Sequence, residues 1–320
     1  MALGEFEIRK VIELSMSNLK NRLGQYQFNT LVSVANGNVF DISQFEIVKK
    51  IDATKDFFCK HPVVIIADPF LFIYKDELYL FFEEQIDLLG KGIIKMTKTT
   101  DLKQWTEPKT VLTEPFHLSY PNVFEIENQI YMMPETGCDH SIKLYKPNTD
   151  LTQWTYDKTI LDGKHFVDSC IIQKDENYFL FATEYSNKGY QLMLYYNTAI
   201  DGNWKEHPQS PIANDADTAR CAGAVFYENG KLYRPCQLTS QQYGEGVVIY
   251  EIETLSTQAY QEKKIKQLIP NTQKEYRLGG HHFNHVNWNG KQIVATDVLE
   301  LRFNFWEVIR RLTNKLLSKN

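Results

Sequence analysis

The sequence predicts an all-β fold, a five-bladed β-propeller with a short helix at each end. Three observations predict it: a high content of aromatic residues, five copies of one hairpin pattern, and a near-regular spacing between the copies. The chain of 320 residues contains 18 Tyr and 19 Phe, and aromatic residues favour strands over helices. Hydrophobic residues make up 43% of the chain, which is enough for a large buried core.

Each copy of the repeat consists of an apolar strand, a short polar turn and a second apolar strand. The five copies are residues 68–83, 121–135, 168–184, 222–237 and 282–297. The turns of the last two copies contain Asn-Gly, the strongest short-range signal for a hairpin. The aligned positions are Tyr79, Tyr131, Tyr178, Tyr233 and Ile293, which lie 52, 47, 55 and 60 residues apart. A propeller blade of four short strands needs about 40–50 residues, so this period favours a propeller over two stacked β-sandwiches.

A tryptophan follows the third strand in three of the copies, at Trp105, Trp154 and Trp204. A sugar-binding role is one interpretation of these residues. Their constant place in the repeat favours packing between neighbouring blades instead.

Amphipathic helices are predicted at both ends of the chain. Apolar residues at helical spacing cover 6–23, and Trp306, Ile309, Leu312 and Leu316 form a second stripe, flanked by basic residues. The chain then divides into an N-terminal helix and lead-in (1–54), the propeller (55–300) and a basic amphipathic helix (301–320). That last helix either docks on its own domain or rests on an anionic membrane surface.

The net charge and the composition of the chain indicate which partners it binds and in which cellular compartment we expect it. A net charge of −5 argues against nucleic acid as a partner. The N-terminus lacks the apolar core of an export signal, and the sequence shows no stretch of about 18 apolar residues that would predict a transmembrane helix. The five cysteines show no CxxC pair, which is typical of reduced thiols. We therefore expect a cytoplasmic protein, with the C-terminal helix as its means of contact with the inner membrane face.

Polar residues recur where the first strand of each blade begins, and these positions converge on the axis of a propeller. They are Asp68, Ser119, Tyr120, Asp168, Arg220, His281 and His282; the ends of the second strands add Glu83, Glu135, Glu184, Gln237 and Asp297. Asn284 lies just inside the last inner strand, where it could contact a sugar hydroxyl. Because side chains alternate along a strand, only one of His281 and His282 is expected to face the axis. A metal ion near His282 is an alternative reading; no other cofactor is predicted.

Six short phrases in this order resemble a known family. They are Ala67-Asp68-Pro69-Phe70, residues 117–121, residues 134–136, residues 167–169, residues 219–223 with 233–235, and residues 280–284. Together they resemble the propeller found as the N-terminal region of plant glucosamine inositolphosphorylceramide transferases and in stand-alone bacterial proteins of surface-glycan loci. The resemblance covers roughly residues 55–305. That propeller is in turn similar to the five-bladed glycoside hydrolases of family 43, which implies a carbohydrate ligand in the central funnel.

The resemblance to family 43 also implies roles for two carboxylates and a departure at a third position. Asp68 matches the general base, and Asp168 matches the carboxylate that orients and tunes the acid. The acid itself should be a Glu that opens the inner strand of the fourth blade, where this chain has Arg220. A sugar alkoxide needs a proton to leave, whereas a phosphate leaves as an anion and needs positive charge.

The departure therefore predicts glycosyl transfer from a phosphate-activated donor in cell-surface glycan or glycolipid synthesis. Arg220 would hold the phosphate oxygens, with Arg234 and His281 as further donors, and Asp68 would deprotonate the acceptor. Three alternatives stay open. Arg220 could form a structural ion pair with Asp168 or Glu184; Glu135 or Glu184 could supply the missing acid of a hydrolase; and the propeller could bind a glycan without turnover.

Overall fold

Residues 24–86 and 90–317 are described by a computed structural model, and they form twenty β-strands and one α-helix. The predicted N-terminal helix at 6–23 lies outside these residues. The first four-stranded unit contains β3 (Val63–Tyr74), β4 (Glu77–Ile86), β5 (Gly92–Thr99) and β6 (Lys109–Leu112). The second contains β7 (Ser119–Ile126), β8 (Gln129–Glu135), β9 (Ser141–Pro147) and β10 (Trp154–Asp162).

The remaining strands form three further units of the same kind. The third unit contains β11 (Phe166–Lys174), β12 (Asn177–Ser186), β13 (Gly189–Asn197) and β14 (Lys205–Glu206). The fourth contains β15 (Phe226–Glu228), β16 (Lys231–Leu238), β17 (Gly246–Leu255) and β18 (Tyr260–Ile269). The fifth contains β19 (Phe283–Trp288), β20 (Lys291–Arg302), β1 (Gln25–Ala35) and β2 (Phe45–Ile51). The all-β propeller fold is thus confirmed, and the division into five four-stranded units fits the predicted number of blades.

The fifth unit joins the two ends of the described chain. Strand β1 pairs antiparallel with β20 along its whole length, from Gln25 opposite Arg302 to Ala35 opposite Gln292. A single parallel pairing, Phe28 with Ile65, then connects this unit to the first. The sheets therefore begin thirty residues before the predicted boundary at residue 55. The backbone polar groups of β1 pair with the otherwise free edge of β20. This pairing joins distant parts of the chain, so no local sequence pattern predicts it.

The core fills the spaces between units, as the position of the tryptophans predicts. The ring of Trp154, at the start of β10, packs edge-on against Phe81 of β4 at 5.7 Å between centroids. Trp105 and Trp204 pack against two other apolar clusters. These tryptophans are therefore structural residues of the sheet interfaces.

The inner strands of the first three units share one irregularity. A β-bulge adds one residue to each inner strand, at Asp68, Tyr120 and Asp168, where φ is 51°, 49° and 46°. A bulge re-aims the side chains that follow it. The left-handed backbone of a residue other than glycine costs of the order of 1 kcal/mol or more at each position, so the surrounding contacts must hold it.

The C-terminal helix α1 (Phe305–Leu317) confirms the predicted helix and docks on the chain before β3. Its N-terminal cap is Asn304, whose Oδ1 accepts from Glu307 N at 3.1 Å. Phe305 N donates to Phe57 O at 2.8 Å, and Trp306 Nε1 donates to Phe58 O at 2.9 Å. In the part of the chain that the structure describes, no helix has the length and apolar character needed to cross a bilayer.

Candidate functional site

A cavity of about 630 Å³ opens where the inner strands begin, within the size range of small-molecule sites. Its lining comes from several units: Gln25, Tyr26, Phe28, Ile65, Glu83, Gln85, His117, Ser119, Glu135, Arg220, Gln242, Tyr243 and Leu299. Four predicted positions, Glu83, Ser119, Glu135 and Arg220, therefore reach the cavity wall.

Asp68 lies buried behind this lining and is held as a carboxylate. Its Oδ2 accepts from Tyr120 N at 3.1 Å, and its own N donates to Asp297 Oδ2 at 3.3 Å. Its Oδ1 lies 3.7 Å from His281 Nε2 and 3.6 Å from His282 Nδ1. Burial alone would raise the pKa of Asp68, but the two imidazoles outweigh it and lower the pKa to about 2.

Asp168 forms a buried ion pair with Arg220. Arg220 Nε donates to Asp168 Oδ2 at 2.5 Å, and Gln237 Nε2 donates to the same oxygen at 2.8 Å. The guanidinium carbon lies 5.4 Å from the ring centre of Tyr190 and 5.3 Å from that of Tyr243. The ion pair and the two rings fix the orientation of the guanidinium. Its Nη1 and Nη2 atoms donate no hydrogen bond to any described residue.

Two further carboxyl groups of the cavity wall have raised pKa values, so burial favours their protonated forms. Burial, with the nearby negative charge of Asp168, raises the pKa of Glu135 to about 8. Burial and neighbouring carboxylates raise the pKa of Glu83 well above its usual value. His117 Nδ1 accepts from Gly92 N at 2.8 Å, so the ring proton lies on Nε2, 3.5 Å from Glu83 Oε1. Burial lowers the pKa of His117, which is therefore neutral as well.

The two histidines that precede β19 both approach Asp68, contrary to the expectation that only one would face the axis. They lie in a non-strand segment, so the alternation of a strand does not apply to them. His281 Nδ1 lies 2.5 Å from Asp297 Oδ2, and His281 Nε2 lies 2.8 Å from the hydroxyl oxygen of Tyr243. Tyr243, which lines the cavity, therefore contacts His281, and His281 in turn lies next to Asp68.

A cation could find donor atoms behind the cavity wall. One donor atom each from Asp68, His281 and Asp297 lies within 4.8 Å of the others. However, the oxygens of Asp297 already accept from the backbone N atoms of Asp68, His281 and His282. Asp68 Oδ1 and both ring nitrogens of His282 have no hydrogen-bond partner among the residues described. The predicted axial ion near His282 would have to use these atoms.

Several predicted site residues do not line the cavity. Residues three apart on a strand point to opposite faces, so Arg234 lies on the face of β16 opposite to Gln237. There it forms an ion pair with Glu262, with 2.6 Å between Nη2 and Oε1. Glu184 pairs with Lys164 at 2.7 Å. Arg234 and Glu184 are therefore placed away from the roles predicted for them.

Two residues predicted to bind substrate, Asn284 and Tyr120, instead connect units of the propeller. Asn284 Oδ1 accepts from Leu71 N at 2.9 Å and so joins the fifth unit to the first. The hydroxyl of Tyr120 accepts from Gly223 N at 2.8 Å and joins the second unit to the fourth. Both side chains are buried and hold the inner strands in place.

Sequence reasoning missed His117 and Tyr243 and gave Glu83 no role. His117 is the first residue of the phrase 117–121 that also contains Ser119, so its position was the available signal. Tyr243 comes from the loop between β16 and β17, which has no counterpart in the repeat.

The fold and the site together define a β-propeller with a polar cavity at the inner ends of its blades, where buried carboxyl groups have pKa values shifted in opposite directions. The chain is a member of the family described as the N-terminal region of glucosamine inositolphosphorylceramide transferase 1, whose model matches residues 51–309. It is 33% identical over 256 residues to glucosamine inositolphosphorylceramide transferase 1 of Oryza sativa subsp. japonica, with 78% of this chain and 33% of the relative covered. With the Arabidopsis thaliana protein of that name it shares 34% over 247 residues, covering 75% and 31%. The chain thus spans about a third of the length of these relatives.

Solved structures share the fold. A point mutant of the family 43 glycoside hydrolase BlXynB from Bacillus licheniformis superposes with a TM-score of 0.51 at 15% identity, covering 69% of this chain and 48% of that one. The α-L-arabinofuranosidase PaAbf62A from Podospora anserina superposes with a TM-score of 0.52 at 10% identity, covering 74% and 91%. At such identities the likeness concerns the fold alone.

Proposed function

We propose that this protein is a carbohydrate-active enzyme of cell-surface glycan or glycolipid synthesis that transfers a glycosyl group from a phosphate-activated donor. One observation carries the proposal. Among the described residues that line the cavity, Arg220 is the one Lys or Arg side chain, and burial raises the pKa of both carboxyl groups of the wall, Glu83 and Glu135. An anionic donor would therefore meet a fixed cation at the wall, where burial disfavours the ionised form of the two carboxyl groups.

Arg220 is suited to this role by its fixed geometry. Its Nε is bound to Asp168, which leaves the Nη1 and Nη2 end for two phosphate oxygens. In the transfer, the acceptor oxygen attacks the anomeric carbon, and the bond from that carbon to the phosphate oxygen breaks. The phosphate leaves as an anion held by Arg220, and the proton of the acceptor hydroxyl passes to Asp68.

Asp68 can take this proton only when Tyr243 moves. The carboxylate is ionised but lies behind His281, which hydrogen-bonds to Tyr243. A bound sugar that displaces the Tyr243 ring would expose Asp68, while Asp168 and Tyr190 would still hold Arg220. The names of the relatives, glucosamine inositolphosphorylceramide transferases, support a sugar and a phosphate-bearing substrate for this family.

Glu135 supports a second candidate, an inverting glycoside hydrolase. Such an enzyme needs one ionised and one protonated carboxyl group. Asp68, with its pKa at about 2, and Glu135, with its pKa at about 8, meet this need. Glu135 would then replace the acid that the fourth blade lacks.

The test is to incubate the protein with nucleotide sugars, with sugars on lipid phosphates and with aryl glycosides. Release of nucleotide or phosphate, lost in Arg220→Gln and in Asp68→Asn but kept in Arg234→Gln, supports transfer. Free sugar from aryl glycosides, lost in Glu135→Gln, supports the hydrolase. Sugar binding by calorimetry without any turnover would rule out both enzymes in favour of a glycan-binding propeller.

A further inference from the structure

A contiguous group of aromatic side chains lies on the surface where α1 meets the chain before β3. Phe57, Phe58, Phe305 and Trp306, here called the aromatic surface, contact one another with ring centres 4.9–6.1 Å apart. Phe58 is 65% exposed and Trp306 is 40% exposed. Exposed apolar groups that are contiguous, unlike scattered ones, indicate a binding surface.

The backbone holds these rings in their exposed positions. Phe305 N donates to Phe57 O, Trp306 Nε1 donates to Phe58 O, and Asn304 Nδ2 donates to Cys59 O at 2.9 Å. The rings of two separate segments are thus fixed side by side. Phe303, just before α1, and Ile309, within it, are exposed apolar residues of the same segment.

Basic residues lie beside the aromatic surface, although Arg310 is paired with Glu307 and Arg302 with Glu300. Lys60 Nζ lies 5.3 Å from the ring centre of Trp306, and Arg310 is exposed on α1. Residues 299–320 contain five basic and two acidic residues, whereas the whole chain has a net charge of −5. Aromatic rings interleaved with Lys and Arg on an amphipathic helix are the composition of segments that bind anionic lipid surfaces.

The aromatic surface also lies next to the mouth of the cavity. Leu299 lines the cavity, and six residues later the chain reaches Phe305, a separation of at most about 20 Å. Gln25 lines both the cavity and a cleft of about 90 Å³ that Trp306 and Arg310 also line. A planar partner on the aromatic surface would therefore pass close to the cavity opening.

We propose that the aromatic surface rests on an anionic membrane and holds the cavity mouth at the level of the lipid headgroups. The substrate class that follows is a sugar donor or acceptor carried by a lipid, which rests on the function proposed above. The peripheral location predicted at the inner membrane face is part of this proposal. Membrane contact itself requires no catalysis and can be tested separately.

The test is sedimentation of the full-length protein with vesicles of phosphatidylglycerol and phosphatidylcholine in equal parts, against vesicles of phosphatidylcholine alone. We expect binding to the anionic vesicles that weakens as salt is raised. Phe58→Ser and Trp306→Ala should each weaken it about tenfold, the loss of one partly buried ring from the lipid. The matched control is Tyr156→Ala on β10, an exposed ring far along the chain from α1, which should bind as the unaltered protein does.

Any of four results would overturn the membrane proposal. The first three are no binding to anionic vesicles at low salt, equal loss in Tyr156→Ala, and a concentration-dependent dimer in sedimentation velocity that Phe58→Ser abolishes. A lower Tm for Phe58→Ser with unchanged vesicle binding would show that another part of the same chain covers the surface, and would overturn it too.

The membrane proposal and the proposed function fail separately. Arg220→Gln should bind vesicles normally even where it abolishes turnover. If the enzyme uses lipid-linked and water-soluble substrates equally well on vesicles, and Phe58→Ser changes neither rate, the assignment of a lipid-carried substrate is wrong while the enzymatic activity stands.

Discussion

Arg220 Nε lies 2.5 Å from Asp168 Oδ2, so the cation of the cavity wall is anchored by a carboxylate buried beneath it. The structural ion pair and the ligand-binding role had been alternatives for Arg220. The geometry allows both, because the ion pair uses Nε and leaves the other end of the guanidinium to the cavity. An arginine that is oriented before a ligand arrives loses little conformational freedom on binding.

Replacement of Arg220 should therefore affect stability and ligand binding together. Arg220→Gln leaves Asp168 buried with only Gln237 as a side-chain donor, which should cost about 3 kcal/mol in the free energy of unfolding. Binding of inorganic phosphate or a nucleotide sugar, measured by calorimetry, should be lost. The control is Arg234→Gln, which breaks the buried pair with Glu262 and should destabilise the protein comparably while ligand affinity stays unchanged. Equal loss of affinity in both variants would contradict this.

Glu135 should make stability depend on pH in the neutral range. Its folded pKa of about 8 lies above the usual value of 4.5, so the protein favours its protonated form. The corresponding stability is complete below about pH 4.5 and is lost as pH rises through about 8. The glutamine in Glu135→Gln cannot ionise. As pH rises from about 4.5 to about 8, the Tm of Glu135→Gln should therefore rise relative to the Tm of the unaltered protein. Parallel Tm curves for the two proteins would show that Glu135 has an ordinary pKa.

Asp68 should control the protonation of His281. Burial lowers the pKa of His281, but Asp297 and Asp68 outweigh it and raise the pKa above 6.5. Asp68→Asn removes one of these charges, so the pKa of His281, followed by NMR of its ring protons, should fall. The stability contributed by charged His281 is complete below about pH 6.5 and is lost as pH rises through the folded pKa. In Asp68→Asn, this loss of stability should occur at a lower pH. An unchanged pKa of His281 would mean that Asp297 alone raises it.

Gly223 should tolerate no side chain. Its φ is +142°, and a Cβ there would lie 2.0 Å from Phe283 O in the adjoining unit. Gly223→Ala should therefore cost about 2 kcal/mol or more, measured by urea denaturation, and disturb the bond from Gly223 N to Tyr120. Gly230→Ala is the matched control, because Gly230 also has a positive φ of 76° but nothing within 4 Å of the added Cβ. It should cost only about 1 kcal/mol; similar losses at both positions would show that backbone strain alone is responsible.

The repeat was sufficient to predict the propeller and the positions of its inner strands. Hairpin turns and the alternation of apolar residues are local properties, and so is the constant place of Trp154, which packs between units as expected. The same periodicity identified Asp68, Asp168, Arg220 and Glu135 as residues that converge, because equivalent positions in successive units meet at the axis.

Roles within that convergent set depended on distances that the sequence does not contain. Arg234 pairs with Glu262 rather than with a ligand because its side chain lies on the face of β16 that points away from the cavity. The non-strand backbone before β19 decides that both His281 and His282 approach Asp68, and the loop that carries Tyr243 decides that a tyrosine contacts His281.

The sequence by itself determined the all-β propeller class, the repeat boundaries and a ring of polar residues around one axis, because strand periodicity and turn chemistry act over a few residues. Only the tertiary structure decided which of those residues are charged, paired or exposed to the cavity. Protonation and ion pairing depend on burial and on neighbours from other units, such as Asp168 beside Arg220, which lie 52 residues apart along the chain.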